Sequence, residues 1–381
     1  MRSDRDILSA MADRVLELAD RPEEEARKIL WADFNALQPH AKVPVCISFE
    51  GIPGPQWDLN FGRDHVQCRG PLARQIEFDL KKRIFMAEHV PDDHVVWPAV
   101  VVNAVQASTP SWGVEMVTDG TEDGLGAAEY VPIFVDGIDV GRLTPASVSV
   151  DAAATAERLA EAETLVGGRL TVYPRYPLLD RSPYDLAAKM RGMENILYDV
   201  IDAPERVHEL MAFIVEAMVA DEHRRQASGW INCHPDPSGR FQMVGVMRHI
   251  ASWLPAGFAD RPRRISDEWA YISAQISASL GPAMYAEFVA PYNNRLAALF
   301  VDKTVYYHGC ECLDGKLDAI AATPNLRRHH VSPWSSVPLA AQKYQGSVVL
   351  EVHVHPTDVF LKPDQDRKST RLNSSHGQLS R

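Results

Sequence analysis

The stretch His94–Val105, HVVWPAVVVNAV, constrains the fold of this chain more than any other. It is a nearly continuous β-branched run, the pattern of a strand covered on both faces, and such strands belong to parallel sheets packed between helices. Further strand candidates lie near residues 43 (VPVCISF), 170, 263 (RRISDEW, ending in the acids Asp267 and Glu268), 303, 326 and 347. Helical patterns separate them. In residues 4–38, Leu8, Met11, Val15 and Leu18 recur at helical spacing, and Pro22-Glu23-Glu24-Glu25 opens a second helix with proline and acids in its first turn. Helices are also predicted over 70–89, 152–166, 182–192, 203–227 and 282–299. Strand alternating with helix predicts the α/β class with a parallel sheet. A length of 381 residues suits a (β/α)8 TIM-type barrel with an insertion. Seven strands are counted where a closed barrel needs eight, so the last strand and helix are expected beyond Asp366, lost by C-terminal truncation.

The final fifteen residues, RKSTRLNSSHGQLSR, carry four basic and no acidic side chains and little to bury; they resemble translated adapter sequence and are set aside. The expected organisation is N-terminal helices over 1–42, a barrel over 43–366 with an irregular insertion over 106–166, and a non-native, disordered tail over 367–381. The formal charge is 39 − 51 = −12, or −16 without that tail, which argues against nucleic acid or an anionic membrane as partner. There is no run of 18 apolar residues, and the N-terminus is a charged amphipathic helix rather than a signal peptide. Cys46, Cys68, Cys233, Cys310 and Cys312 have no disulfide-scaffold rhythm, so a cytoplasmic location is expected. Neither a phosphate-cradling glycine loop nor a G-x-S-x-G nucleophile elbow occurs.

Chemistry concentrates in Val301–Ala319, VDKTVYYHGCECLDGKLDA. A β-branched and aromatic run ends in His308-Gly309-Cys310-Glu311-Cys312, and a helical segment follows. Strand, ligand-bearing loop and helix form the unit from which α/β enzymes build sites at carboxyl strand ends. Gly309 permits a tight turn, so His308 and Cys310 can face one point. Imidazole and thiolate are the ligands zinc prefers. The alternative is that the cysteines only pack.

The order of elements resembles the uroporphyrinogen decarboxylase superfamily, and within it the cobalamin-dependent methyltransferase-like branch. The matching pieces are ILWADFNALQP (29–39), RGMENILYDVIDAPERVHELMAFI (191–214), ISAQISASLGPAMYAEFVAPY (272–292), YYHGCECL (306–313) and NLRRHHVSPWSSV (325–337). The resemblance implies a (β/α)8 barrel with its site at the carboxyl strand ends. The Arg-Gln-Ala-Gly-Arg loop of true uroporphyrinogen decarboxylases is replaced by Glu50-Gly51-Ile52-Pro53-Gly54, which argues against a porphyrinogen substrate. The methyltransferase branch binds zinc through His-x-Cys and a later cysteine. His308 and Cys310 match the first two ligands, and Cys312, Glu351, His353 or His355 could substitute for the third.

What the resemblance implies is a methyltransferase in which zinc activates a thiol or other small acceptor toward a methyl group on a corrinoid. Asp221–Gln226 is the nearest match to a corrinoid-binding motif and lacks its glycine, so the corrinoid is expected on a partner protein; a homodimer follows from family analogy alone. Glu268 is either a residue orienting ligand or substrate, or a surface or capping acid. His353 and His355 share one side of the last strand and are read as site residues. His329 and His330 are read as packing or polar-face residues. Trp334 either covers a flat cofactor at the mouth or packs on the rim. Arg175 and Asp180 are candidate substrate contacts. The rival readings are a metal-free decarboxylase on a non-porphyrin substrate and a barrel without catalysis.

Overall fold

A computed structural model describes residues 2–38, 42–47, 65–120, 129–232, 261–302, 304–355 and 357. The loop 50–54, most of the loop 230–240, Cys233, the region of the expected eighth strand and the tail from 367 lie outside the described residues. The fold is mixed α/β, with parallel strands in two sheets. The chain divides into two compact units, one of Met1–Ala107, Ser149–Pro177 and Asn232–Arg261, the other of Ser108–Val148, Leu178–Ile231 and Pro262–Arg381. No helix among the described residues is long and apolar enough to cross a membrane.

The first unit holds helices Asp4–Ala19, Pro22–Asn35, Pro71–His89 and Ala152–Leu165. Local chemistry sets their starts. Ser3 and Asp6 form a reciprocal capping box, and prolines open the helices at 22 and 71, where an N–H would have no partner. Leu8, Val15, Leu18, Leu72, Ile76 and Leu80 pack with Val100, Val102 and Leu170 into one core. Within it, strand β1 (Ala99–Asn103) pairs in parallel with a later strand, Thr171–Arg175. The ladder occupies only the end of the predicted 94–105 run because Pro98 cannot donate and the Val96 N–H is taken by the Glu24 carboxylate at 2.7 Å. The stretch predicted as a strand at 43 joins no sheet among the described residues. Its Val45 and Ile47 amides donate instead to the carboxylates of Asp93 and Asp92, each at 2.8 Å.

The second unit contains a two-residue antiparallel pair, β2 (Thr118–Asp119) with β3 (Glu129–Tyr130), inside the predicted insertion. With Thr171–Arg175 as β4, the remaining strands are β5 (Ala270–Ser273), β6 (Val305–His308), β7 (Leu326–Val331) and β8 (Val349–Val352). They form a four-stranded sheet in the order β5-β6-β7-β8, parallel throughout. The β5–β6, β6–β7 and β7–β8 connections each carry helix, as parallel connections require. Leu210, Met211 and Ile214 of helix Pro204–Ala227, Phe288 and Leu296 of the helices before β6, and Ile272, Val305 and Tyr307 of the sheet share its apolar core.

One predicted strand is displaced. Arg263–Trp269 forms a 3-10 turn over Ile265–Asp267, and β5 starts only at Ala270. The Asp267 carboxylate folds back to accept the Arg264 amide at 2.8 Å, which closes a turn where the sequence reads as extended. Glu268 therefore sits before the strand, at its amino end. The predicted helix 282–299 is two pieces, Pro282–Phe288 and Ala290–Ala297, and helix Met193–Asp202 separates two that were expected to be neighbours.

Candidate metal centre

Alternation along a strand sends successive side chains to opposite faces. Register therefore decides which residues of β5–β8 meet. Tyr271 lies beside Tyr306, Ser273 beside His308, Tyr306 beside Arg328, and His330 beside Glu351. One face thus carries Tyr271, Ser273, Tyr306, His308, Arg328, His330 and Glu351, with His353 continuing it past β8. Tyr307, His329 and Leu350 point the other way, where Tyr307 stacks on His329 and His329 meets the Tyr344 hydroxyl at 3.1 Å. His329 is a packed residue, as the sequence suggested. His330 is not merely that.

The rings on the polar face form a continuous ladder. Tyr271 stacks on His308, His308 lies parallel to His330 with centroids 4.2 Å apart, and His330 meets His353 edge-on at 4.1 Å. At the end of β6 the chain turns at Gly309, where an added Cβ would lie 3.0 Å from both the Glu311 carboxylate and the Leu313 side chain. That tight turn brings Cys310 back over the strand end, with its Sγ 3.1 Å from His308 Nε2. One ligand atom each from His308, Cys310 and His330 lies within 4.8 Å of the others.

Hydrogen bonds settle which nitrogens can bind a cation. His330 Nδ1 lies 2.7 Å from the Gly309 carbonyl oxygen, which can only accept, so Nδ1 carries the proton. Its Nε2 is then a bare lone pair, buried and without a hydrogen-bond partner. The Tyr306 hydroxyl donates to Glu351 Oε1 at 2.8 Å, so at its 2.9 Å contact with His308 Nδ1 it must accept. His308 Nδ1 is therefore protonated too, and its Nε2 lone pair faces Cys310. One ligand atom from each of His308, Cys310 and His330 converges, and two imidazoles with a thiol are the donor set of a zinc site.

Electrostatics favours the ligating forms. Burial, then His353 and His329, pushes the His308 pKa down to about 4; burial, then His308 and His353, pushes His330 down to about 3. Both imidazoles are neutral near pH 7, as ligation requires. Glu351 is held below the usual carboxylate range: burial works to raise it, but the His353 hydrogen bond and the Arg328 charge outweigh burial. The Tyr306 hydroxyl is driven well above its ordinary value by burial and by Glu351, so it stays a donor.

The remaining candidates fall elsewhere. Cys312 is exposed and outside the cluster. His353 Nε2 meets Glu351 Oε1 at 3.2 Å, and His330, Glu351 and His353 form a second convergent trio that shares His330. His355 leans edge-on against Trp334 at 4.8 Å, and Trp334 is 63% exposed, so this aromatic pair stands at the rim beyond β7 and β8. Glu268 is remote from the histidine ladder along β5. It is fully buried in a ring of charges, with Arg225 2.7 Å from one of its oxygens and Arg181 3.4 Å from the other; Glu222 closes the ring at 2.7 Å from Arg181 and 2.6 Å from Arg225. Asp180 accepts from Ser182 Oγ at 2.9 Å in the second unit, whereas Arg175 ends β4 in the first. There, Cys46, Asp92 and His94 also converge, but Asp92 already accepts from the Ile47 and His94 amides and pairs with the His94 ring.

Sequence reasoning overlooked His330 and Tyr306. The available signal was period two: Arg328 and His330 share a face on one strand, Tyr306 and His308 on its neighbour. No family model and no curated protein matches this chain.

Proposed function

We propose that His308, Cys310 and His330 hold a zinc ion that activates a small thiol for methylation by a methyl-corrinoid carried on a partner protein. The frame for this is the (β/α)8 barrel that the sequence resemblance implies, and the unbroken parallel order β5-β6-β7-β8 supports it. One observation carries the metal reading: His308, Cys310 and His330 each bring a ligand atom within 4.8 Å of the others, and His330 Nε2 is buried without a hydrogen-bond partner. Leaving such an atom unsatisfied is costly unless something occupies the position. Three protein ligands also leave a fourth position for substrate, as catalytic zinc sites do.

When bound, zinc would supply Lewis acidity that favours the thiolate of a bound thiol near neutral pH. The chain's own residues do the rest. Their protonated Nδ1 atoms aim the two imidazoles. Cys310 is exposed, so a substrate can approach on its side of the cluster. Trp334, exposed and with His355 edge-on against it, offers an aromatic ring at the rim for the corrinoid partner.

The test is metal content followed by turnover. Chain purified without chelators should hold about one zinc per molecule and methylate a small thiol from free methylcobalamin. His330→Ala and Cys310→Ser should each remove both properties. Less than about half an equivalent of zinc in the wild type would defeat the proposal. A metal-free carboxy-lyase, the competing idea, requires an activity indifferent to both substitutions.

A further inference from the structure

Two buried imidazoles face the same point, yet their tautomers are fixed by different means. His330 is held by the main-chain carbonyl of Gly309, which no substitution can remove. His308 is held by a side chain, the Tyr306 hydroxyl, which is itself held by Glu351. Tyr306 is completely buried; the Glu351 Oε1 it meets also contacts His353 Nε2 at 3.2 Å, and the other carboxylate oxygen faces Arg328 3.6 Å away. Burying a phenol, a carboxylate and a guanidinium together costs more than apolar side chains of the same volume would. A function that depends on the hydrogen bonds explains why they are there.

We propose that Tyr306 and Glu351 are positioning residues for the metal centre: the Tyr306 hydroxyl, oriented by the Glu351 carboxylate, keeps the proton on His308 Nδ1 and the Nε2 lone pair aimed beside Cys310. This rests on the metal reading above. Without the hydroxyl, His308 Nδ1 has no other acceptor among the described residues. The proton is then free to move to Nε2, where it faces Cys310 and blocks ligation. Arg328 and His353 secure Glu351 from both sides, so the relay runs in series from charge to phenol to imidazole. Neither Tyr306 nor Glu351 touches the ion; each acts through His308.

Tyr306→Phe tests this with two measurements that need no turnover. Zinc affinity, from competition with a chromophoric chelator, should fall about 10- to 100-fold, the usual consequence of losing an outer hydrogen-bond partner. In the metal-free protein, the nitrogen NMR shifts of His308 should change from a single Nδ1–H tautomer to a mixture. Glu351→Gln keeps an acceptor oxygen but loses the charge, so it should weaken zinc less, and the double variant should be no worse than Tyr306→Phe alone. Wild-type zinc affinity in Tyr306→Phe, with or without a lowered Tm, overturns the positioning role while leaving the metal centre standing. A wild-type chain that binds no zinc is a different result: it defeats the metal reading, and the positioning role falls with it.

Discussion

The second unit buries two polar clusters at opposite ends of β5. Next to its amino end, Arg181, Arg225, Glu222 and Glu268 close a ring of two cations and two anions. At its carboxyl end, beside Ser273, the ladder of His308, His330 and His353 is uncharged on the two buried imidazoles and leaves a nitrogen lone pair open. The ring neutralises its own charge, two guanidinium groups against two carboxylates. The ladder instead presents neutral nitrogen and sulfur donors, the kind that hold a metal ion. Burial alone therefore does not distinguish structural from functional polar groups; here one buried cluster neutralises its own charges and the other presents neutral donors.

The largest expected effect breaks this contrast at the ring. Glu268→Ala leaves two buried guanidinium groups with one carboxylate between them and should cost about 3–5 kcal/mol of stability, because an uncompensated charge stays in the core. Chemical denaturation measures the cost. Zinc content of the folded protein should not change. His330→Ala should give the reverse pattern, with zinc lost and a stability cost smaller than that of Glu268→Ala. If Glu268→Ala released zinc from protein that remained folded, the two clusters would be coupled and the distinction between them would fail.

Much of the fold was legible because its signals are local. The helices starting at Asp4, Pro22, Pro71 and Ala152 are announced by caps, prolines and spacing within a few residues of each start, and β8 by its valines. What was not legible depends on distant partners. Val43–Phe49 reads as a strand, but its Val45 and Ile47 amides are claimed by Asp93 and Asp92, more than forty residues away. Glu268 reads as an acid at a strand's carboxyl end, but the capping turn of Asp267 moves the strand beyond it. In the candidate site, His308 and Cys310 stand out by adjacency. His330 does not, since a histidine inside a strand looks the same whether it packs or ligates; the Gly309 carbonyl that frees its Nε2 comes from the neighbouring β6 turn.

A smaller effect extends the comparison to a buried carboxylate in the first unit. Glu77 is fully buried and accepts from the Gln67 and Cys68 amides while pairing with Lys81. Burial acts to raise its pKa, but the Lys81 contact and those amides outweigh burial and leave it below its ordinary value of 4.5. A depressed folded-state pKa means that the ionised carboxylate stabilises the protein above pH 4.5, and that this contribution disappears as pH falls through the lower folded value. Glu77→Gln should therefore lose stability at neutral pH and show a flatter acid limb when Tm is followed from pH 7 to pH 3. An acid limb as steep as that of the wild type would mean that other carboxylates set it.

The smallest expected effect asks whether the rim is coupled to the ladder. Helix Val337–Tyr344 begins three residues after the exposed Trp334, and Ser336 caps it by accepting the Leu339 amide at 3.3 Å. The Ser336 amide in turn donates to Asp314, in the segment that follows Cys312, so one residue joins the loops after β6 and β7. Ser336→Ala removes the side-chain cap but keeps the amide, and should cost about 1 kcal/mol. If the rim only supports partner docking, zinc affinity will be unchanged at that cost. A tenfold loss of affinity would instead mean that the cap holds Cys310 in place through the Asp314 link, and the ladder would then depend on its loops as well as on strand register.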